Sequence, residues 1–392
     1  MNKKFLDLGL QPLANEYLKK FNPKQKKYRL KIFFNFKTKL VSISKRISSK
    51  KMFNNTYPYR SSMSQTMKFS FKDLSKEINK RFNPNKILEI GSNDGALLTN
   101  FYPKKVVGVE PCSNLAKITK KKGYTTYSEY WDLKLALKLK KEFNSFDLIY
   151  SANTLTHISN LTNVFRSICK VLSKNGVLII EDPSLLECIK KNSYDQFYNE
   201  HIYVFSYLSL SRIIKKHNLE IFNLENIKDH GGSIRYYIKK KQANYKINKS
   251  IKIQKKIEIK NGLDKFSTYQ KFRNRVILSK KKLIGLINKI NKKNKKIIGY
   301  GATAKAVTVL NYCQIDHKKI KYFVDTTPEK QGKFMPGVKI PVKKYSKLLK
   351  KKVDYVFLGA WNFKNEIFKK EKKFLLNNGK FITHVPFPKI IS

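Results

Sequence analysis

Between residues 85 and 182 the sequence alternates short apolar runs with helix-like stretches, and this alternation constrains the fold more than any other feature. The apolar runs are KILEI, VVGVE, FDLIYS and GVLIIED, each of a length typical of a buried strand. Helix-like stretches such as SNLAKITKK, DLKLALKLKKEF and LTNVFRSICKVL lie between them. Strands that alternate with helices predict a parallel, doubly wound α/β sheet.

Two further regions flank this α/β region. Residues 1–80 are predicted to form a small, irregular N-terminal domain with strand-like pieces such as Lys31–Phe36. Residues 243–392 begin with one or two Lys-rich helices and continue with a second α/β pattern, from KKIIGYG to GKFITHV, which is typical of a smaller Rossmann-like unit. We therefore predict three domains, at 1–80, 81–242 and 243–392.

A glycine-rich turn follows the first strand of the central region. The strand ILEI, residues 87–90, runs into GSNDG at residues 91–95, and we expect a helix to begin at Ala96. Glycines at such a turn let the backbone bend sharply and let a ligand approach the main chain. The next strand ends in Glu110, where a carboxylate can accept hydrogen bonds from both ribose hydroxyls of an adenosyl group.

The spacing of the glycines distinguishes two cofactors that contain such a group. A dinucleotide site would share Glu110, but its G-x-G-x-x-G turn lies under a pyrophosphate, whereas here the second glycine comes four residues after the first. S-adenosyl-L-methionine has no phosphate, and Glu89 can meet its positively charged methionine end. The sequence therefore predicts S-adenosyl-L-methionine as the cofactor. The residues assigned to it are Glu89, Gly91, Asn93, Gly95 and Glu110.

Histidines gather near loops and predicted strand ends between residues 151 and 233. His157 follows the strand FDLIYS, Tyr198, Glu200 and His201 share the block YDQFYNEH, and His230 precedes a Gly-Gly-Ser turn. Histidine is the natural general base near neutral pH, a carboxylate can orient an imidazole, and a tyrosine can donate to a developing oxyanion. A structural role is the alternative for any one histidine, but their grouping behind a cofactor motif favours catalysis.

The charge of the chain admits a different function. Lys and Arg number 83 against 27 Asp and Glu, a net charge of +56, and dense positive charge suits nucleic acid. The lysines are dispersed from Lys3 to Lys389, however, and a specific binder usually has one basic stripe. We expect no specific nucleic-acid partner, although the charge can steer anionic substrates such as nucleotide diphosphates.

The sequence also bears on the compartment of the protein. It has no run of eighteen apolar residues, and its first fifteen residues lack the continuous apolar segment of a secretory signal. Its four cysteines form no CxxC pair. We therefore expect a cytoplasmic protein without a membrane span.

The second α/β pattern contains GYGATAK, residues 299–305, after a strand and at the start of a helix. N–H groups at the start of a helix favour phosphate, and Lys305 adds positive charge. A purely structural turn is an equally good interpretation of this segment.

Long blocks in one order resemble the sugar C-methyltransferases that act at C3 of nucleotide-linked 4-keto-6-deoxyhexoses. They include LDLGLQPLANEYL, YPYRSSMSQTM, LEIGSNDGALL, EDPSLLECIKKNSYDQFYNEH, HGGSIRYYI, GYGATAKAVTVLN and VDTTPEKQGKFMPGVKIPV. The resemblance implies a class I S-adenosylmethionine-dependent methyltransferase domain, followed by a smaller Rossmann-like domain that closes over a nucleotide-diphosphate deoxy-keto sugar. It is compatible with either a monomer or a homodimer as the oligomeric state.

The resemblance also implies roles for individual residues. His201 would remove the C3 proton, which the C4 ketone acidifies, while Tyr198 and Glu200 would position the sugar and stabilise the oxyanion, and His157 matches a further active-site histidine. Two residues of YPYRSS lie on the cofactor side in this family, namely Tyr59 and Ser62. The substrate-binding set is His230, Gly232, Ser233, Lys305, Trp361 and Asn362.

One departure from the family concerns zinc, which its members usually hold with four cysteines in the N-terminal domain. The positions of the second cysteine pair carry Asn35 and Thr38, neither of which suits a Cys-type site. We expect no zinc and an N-terminal domain held by packing alone. The alternatives are transfer to an oxygen or nitrogen of a sugar or glycan precursor, a lapsed S-adenosylmethionine-binding protein, and a nucleic-acid methyltransferase.

Overall fold

The computed structural model describes residues 1–44, 47–228, 231–348 and 353–392. The described strands form a four-, a seven- and a six-stranded sheet. Helices α1 to α12 span Ser49–Met52, Gln65–Phe82, Ser113–Lys121, Leu133–Phe143, Leu161–Val171, Leu185–Lys190, Tyr207–Ile214, Lys249–Lys260, Phe266–Lys292, Ala304–Cys313, Lys364–Lys370 and Lys372–Leu376.

The N-terminal sheet is more regular than the sequence suggested. Its order is β1-β2-β3-β9, with β1 at Asn2–Pro12, β2 at Lys27–Asn35, β3 at Val41–Ile43 and β9 at Tyr203–Val204. Leu30, Ile32 and Phe34 alternate with more exposed neighbours along β2 and face the core. The fourth strand comes from far along the chain, since β9 pairs with β3 in antiparallel register.

The seven-stranded sheet confirms the predicted α/β fold. Its order is β10-β11-β8-β7-β4-β5-β6, formed by Leu219–Ile227, Ser233–Lys240, Leu172–Pro183, Phe146–Ala152, Ile87–Ile90, Val106–Val109 and Thr125–Tyr127. The five strands from β8 to β6 are parallel, and β11 runs antiparallel to both of its neighbours. The four residues of β4 are all buried, as expected for a strand with helices on both faces. The carboxyl ends of these parallel strands share one edge, where doubly wound folds bind ligands.

The helix expected from Ala96 is absent, and that prediction was wrong. After Gly95 the described chain forms only a short 3₁₀ helix, Leu98–Asn100. The Thr99 hydroxyl donates to the Gly95 carbonyl, and the Asn100 side chain donates to the Ala96 carbonyl. The Thr99 N–H also donates to the Gly95 carbonyl, as in an α-helix, but the N–H groups of Asn100 and Phe101 donate to carbonyls only three residues before them, so the chain does not continue as an α-helix.

The C-terminal sheet confirms the second, smaller Rossmann-like unit. Its order is β14-β13-β12-β15-β16-β17, formed by Val342–Lys344, Phe323–Asp325, Ile297–Tyr300, Tyr355–Leu358, Lys380–Thr383 and Lys389–Ile391, and only β17 is antiparallel. Helix α10 begins just after β12. A Cβ at Gly299 would lie 2.4 Å from the Phe323 ring, so glycine permits this close packing of β12.

Helices α8 and α9 form the Lys-rich connection between the two Rossmann-like units. The inner face of α9 is apolar, and Tyr269 packs on Phe5 of the N-terminal sheet, with ring centroids 5.0 Å apart. Phe272 packs against Phe197, which lies in the block YDQFYNEH directly before Tyr198. The connection is therefore part of the core. Within the part of the chain that the structure describes, no helix has the length and apolar character needed to cross a membrane.

Candidate active site

A cavity of about 910 Å³ lies between the carboxyl edge of the seven-stranded sheet and the C-terminal unit. All three parts of the chain line it. The residues that line it include Asn15, Tyr57, Tyr59, Glu89, Gly91, Asn93, Glu110, His157, Gln196, Tyr198, His201, Lys305, Lys330 and Asn362.

The glycine-rich turn and Glu110 meet at one end of this cavity. The Glu110 carboxylate accepts the backbone N–H groups of Asn93 and Cys112, each at 2.8 Å. A Cβ at Gly91 would lie 2.1 Å from the Thr154 hydroxyl oxygen, so the turn leaves no room for a side chain there. These contacts hold Glu110 at the tip of β5, where the sequence predicted an acceptor for ribose hydroxyls.

Glu89 provides a test of whether the residues fit S-adenosylmethionine. Its carboxyl is buried, and one oxygen, Oε2, has no hydrogen-bond partner within the described chain. Burial raises its pKa well above the usual range, and the nearby carboxylates of Glu110 and Asp94 raise it further. Three buried carboxyl groups around one turn, in a chain of net charge +56, make a site for a cation. The residues fit a ligand with ammonium and sulfonium groups.

The YPYRSS segment packs over the glycine-rich turn. The Ser61 N–H donates to the Asn93 side chain at 2.9 Å, and Asn93 donates to the Tyr59 carbonyl at 3.2 Å. Ser62 donates its hydroxyl to Asp94 at 2.5 Å. Tyr59 and Asn93 line the cavity, whereas Ser62 does not and holds the segment in place.

Gly95 also lies behind the cavity wall. Its φ of +82° is one that residues with a side chain rarely adopt, and an added Cβ would lie 2.6 Å from a methyl group of Thr119. Its place in the motif is explained by the turn and by packing.

His201 is held by two hydrogen bonds in the middle of the cavity wall. Its Nδ1 lies 2.8 Å from the Gln196 carbonyl oxygen, which can only accept, so Nδ1 carries a proton. In the neutral imidazole Nε2 is then the acceptor, and it lies 2.5 Å from the Tyr198 hydroxyl, which donates to it. The basic nitrogen and the phenol thus face the same space.

His157 lies beside this pair. Its ring stacks on Phe53 with centroids 5.2 Å apart, and burial lowers its pKa to about 3. Its Nε2 makes no hydrogen bond to the described residues. His157 is therefore neutral at physiological pH, and its buried Nε2 is without a hydrogen bond among the described residues.

Glu200 lies behind the wall and does not orient His201; that role belongs to the Gln196 carbonyl. The Glu200 carboxylate accepts from the Asn15 side chain at 2.9 Å and from the Tyr57 hydroxyl at 3.1 Å. Burial raises the pKa of Glu200 to about 7. Glu200 thus holds two N-terminal residues, Asn15 and Tyr57, against the block YDQFYNEH, and both line the cavity.

Lys305 lines the cavity on the side of the C-terminal unit. It is 9% exposed, and its ammonium makes no hydrogen bond to any residue that the structure describes. It lies in the first turn of α10, where the first backbone N–H groups of a helix have no partner within it. Lys330 lies on the same wall and donates to the Ala302 carbonyl at 2.8 Å. The Asp325 carboxylate lies 3.8 Å from the Lys330 ammonium, so Lys305 is the cation on this wall that could meet an anion.

Of the remaining predicted substrate residues, some line the cavity and others do not. Asn362 lines the cavity, but Trp361 lies behind it and donates its indole N–H to Asp195 at 2.6 Å. Gly232 directly precedes β11 and Ser233 is its buried first residue; neither lines the cavity. His230 lies outside the described residues.

Sequence reasoning missed several residues of the site. Gln196 contributes a backbone carbonyl, a group that every residue has and that leaves no signal in the sequence. Asn15 and Tyr57 lie within blocks of the family resemblance, which was their only available signal. Asp195 adjoins Gln196 in the block EDPSLLECIKKNSYDQFYNEH, and the resemblance was again its only signal.

The predicted positions of the missing zinc cysteines form a turn. Asn35 accepts the Thr38 N–H through its side chain at 2.7 Å, which closes the connection from β2 to β3. Among the described residues, no group of three or more His, Cys, Asp or Glu side chains is arranged to hold a metal ion. The expectation that zinc is absent stays a prediction.

Comparisons with known proteins cover both Rossmann-like units. Residues 59–224 match the family model for a methyltransferase domain, and residues 228–386 match the C-methyltransferase C-terminal domain. The C-methyltransferase NovU of Streptomyces niveus is 30% identical over 308 residues, which are 78% of this chain and 73% of that one.

Solved structures align with part of the chain. An S-adenosylmethionine-dependent methyltransferase of Clostridium acetobutylicum covers 44% of this chain and is itself covered to 91%, with 14% identity and a TM-score of 0.33. The YcgJ protein of Bacillus subtilis covers 43% and is covered to 97%, with 13% identity and a TM-score of 0.33.

Proposed function

The chain belongs to the S-adenosylmethionine-dependent C-methyltransferases, and from this premise we propose that it methylates C3 of a nucleotide-linked 4-keto-deoxyhexose through an enolate. The observation that carries the proposal is the state of His201. Its Nδ1 proton is committed to the Gln196 carbonyl, so the lone pair of Nε2 lies on the cavity side next to the Tyr198 phenol. A base beside an oxyanion donor is the pair that proton removal next to a ketone requires.

Each of these groups has a part in the proposed reaction. The C4 ketone takes over the hydrogen bond of the Tyr198 hydroxyl, which frees Nε2 of His201 to accept the C3 proton. Tyr198 then stabilises the negative charge that develops on the C4 oxygen. His157, neutral because burial lowers its pKa to about 3, offers Nε2 to a hydroxyl or amino group of the sugar. Glu200 acts indirectly, by holding Asn15 and Tyr57 against the ligand.

The carboxyl-rich end suits the cofactor. S-adenosylmethionine, when bound, supplies the electrophilic methyl group that the enolate carbon attacks. Glu89 would meet its ammonium group, Glu110 its ribose, and Gly91 and Asn93 would form the floor beneath it.

The wall at Lys305 suits the nucleotide diphosphate. The Lys305 ammonium has no hydrogen bond to the described chain and lies at the start of α10, so it is available for a phosphate oxygen. The sugar would then lie between this wall and the cofactor, against His201. The positive charge of Lys305 and the base at His201 support a substrate with an anionic group at one end and an acidic C–H group at the other.

The proposal can be tested with methyl-labelled S-adenosylmethionine and a panel of nucleotide 4-keto-6-deoxyhexoses in heavy water. Label attached to C3, together with deuterium exchange at C3 that is lost in His201→Asn, is the expected result. In the exchange experiment S-adenosylhomocysteine replaces the cofactor, so that proton removal is seen without transfer. Label on an oxygen or a nitrogen, or no exchange despite cofactor binding, would overturn the proposal.

A further inference from the structure

A buried carboxylate joins the methyltransferase unit to the C-terminal unit beside the active site. Asp195 lies in the 3₁₀ helix Tyr194–Gln196 and is completely buried. One of its oxygens, Oδ2, accepts the indole N–H of Trp361 at 2.6 Å and lies 3.0 Å from Nε2 of His384. Both partners belong to the C-terminal unit, and His384 is also completely buried.

The residue after Asp195 provides the carbonyl that orients His201. Gln196 accepts the Nδ1 proton of His201, so the tautomer of the imidazole depends on where this short helix lies. The helix itself is tight, because the Phe197 N–H donates to the Tyr194 carbonyl at 3.1 Å. A displacement of the Asp195 side chain therefore moves the Gln196 carbonyl with it.

The charge of Asp195 makes its partners necessary. Burial would raise its pKa, but the attraction of His384 and its hydrogen bond, with Lys305 and Trp361, leave the pKa lowered. An ionised carboxylate in a dry interface is costly unless it is paired. Loss of the His384 side chain removes the largest of these compensating interactions and leaves the Trp361 hydrogen bond and the attraction of Lys305, so we expect the short helix to shift.

We propose that Asp195, Trp361 and His384 form a clamp that positions the Gln196 carbonyl and thereby sets the tautomer of His201. The clamp is complete only when the C-terminal unit is docked, so the basic nitrogen is prepared by the same unit that provides Lys305. Asp195 and His384 are positioning residues, since they act through Gln196. The importance of the clamp for turnover rests on the proposed function, but the tautomer of His201 does not.

The first test is the ¹⁵N spectrum of the histidine side chains in the full-length protein, with His201→Asn used to assign the His201 signals. The wild type is expected to show His201 as a single tautomer protonated at Nδ1. His384→Phe and the near-isosteric Asp195→Asn are expected to give a mixture of tautomers. Since Asp195→Asn keeps the shape of the side chain, it provides the answer if His384→Phe does not fold.

Tyr194→Phe is the matched control. It changes the same 3₁₀ helix and removes a hydroxyl that lies 3.8 Å from the Cys313 sulfur, another contact with the C-terminal unit, but it leaves the Asp195 contacts in place. We expect it to retain the wild-type tautomer. If Tyr194→Phe disturbs His201 as much as the clamp variants do, the helix is merely fragile and the inference fails. A wild-type His201 protonated at Nε2, or an undisturbed tautomer in both clamp variants, also overturns it.

Deuterium exchange at C3 then separates this inference from the proposed function. In His384→Phe the exchange rate is expected to fall on the order of 100-fold, the cost of a misplaced catalytic group, while S-adenosylmethionine affinity is retained. Absence of exchange in the wild type refutes the proposed function and leaves the tautomer result standing. Normal exchange in both clamp variants refutes the clamp alone.

Discussion

The rings of His157 and His201 stack in the cavity wall with centroids 5.2 Å apart and planes inclined by 28°. Burial lowers the pKa of His157 to about 3, so its ring carries no charge near neutral pH. A proton that arrives on His201 consequently meets no second positive charge across the stack. The neutral ring supports a neighbouring base without opposing its protonation.

This arrangement predicts unequal effects at the two histidines. His201→Asn should lower C3 exchange and methyl transfer by about 10²- to 10⁴-fold, the usual contribution of a general base. His157→Asn should cost roughly fivefold, because a single hydrogen bond to a neutral group is worth about 1 kcal/mol. Single-turnover rates of both variants check this, and equal losses would contradict it.

Glu89→Gln should weaken cofactor binding and stabilise the free protein at once. Charge-assisted hydrogen bonds are worth about 1.5–3 kcal/mol, so the dissociation constant of S-adenosylmethionine should rise roughly 10- to 100-fold. The ligand-free variant should unfold at a higher temperature, because a buried carboxyl with a raised pKa is replaced by a neutral amide. Calorimetric titration and thermal unfolding measure the two effects, and a loss of both affinity and stability would argue for a purely structural Glu89.

Lys305→Met should affect the binding of the nucleotide sugar more than the chemistry. We expect KM to rise roughly 10- to 100-fold with little change in kcat, since the ammonium contacts a part of the substrate that does not react. Lys318→Met removes an exposed lysine of the same unit and should leave both constants unchanged. If the two variants behave alike, the cavity wall at Lys305 does not bind phosphate.

The raised pKa of Glu200 predicts how stability depends on pH. The folded chain holds this proton up to about pH 7, whereas an unfolded glutamate releases it near 4.5. The folded state binds more protons in that window, so stability falls as pH rises through it, by about 3 kcal/mol for this group. Glu200→Gln should remove that part of the fall in urea unfolding measured at pH 5 and pH 8. An identical difference in the wild type and the variant would contradict the assignment.

The purified protein should contain much less than one equivalent of zinc per chain. The two positions that would hold the second cysteine pair, Asn35 and Thr38, close a turn with a hydrogen bond of 2.7 Å. Elemental analysis after expression with added zinc decides the matter. One equivalent of zinc per chain would show that another set of ligands holds the metal.

The sequence predicted those elements whose signals are local. The apolar runs of β4, β5, β7 and β8 identify buried strands. Glu110 follows directly from the end of β5, so its position at the sheet edge could be predicted. The helix expected from Ala96 is only a short 3₁₀ turn, in which the Asn100 and Phe101 N–H groups bond three residues back and the Asn100 side chain takes the Ala96 carbonyl.

Two other features of the site could not be predicted from the sequence. The Gln196 carbonyl sets the tautomer of His201, yet a backbone group has the same chemistry at every position. Trp361 follows a strand that ends at the cavity, but its indole points to Asp195 behind the wall. Which side of a wall a side chain occupies depends on packing between units, and the spacing of residues along the chain does not encode it.

The pairing of β3 with β9 has a consequence for how such a protein can change in evolution or by engineering. The last strand of the N-terminal sheet, Tyr203–Val204, begins two residues after His201 and is separated from its partner Val41–Ile43 by most of the methyltransferase unit. The first eighty residues are therefore not a detachable module. A graft from a related enzyme would bring a foreign partner to the strand that follows His201, the proposed base, so exchange of the N-terminal residues at a single linker would also change the surroundings of that histidine.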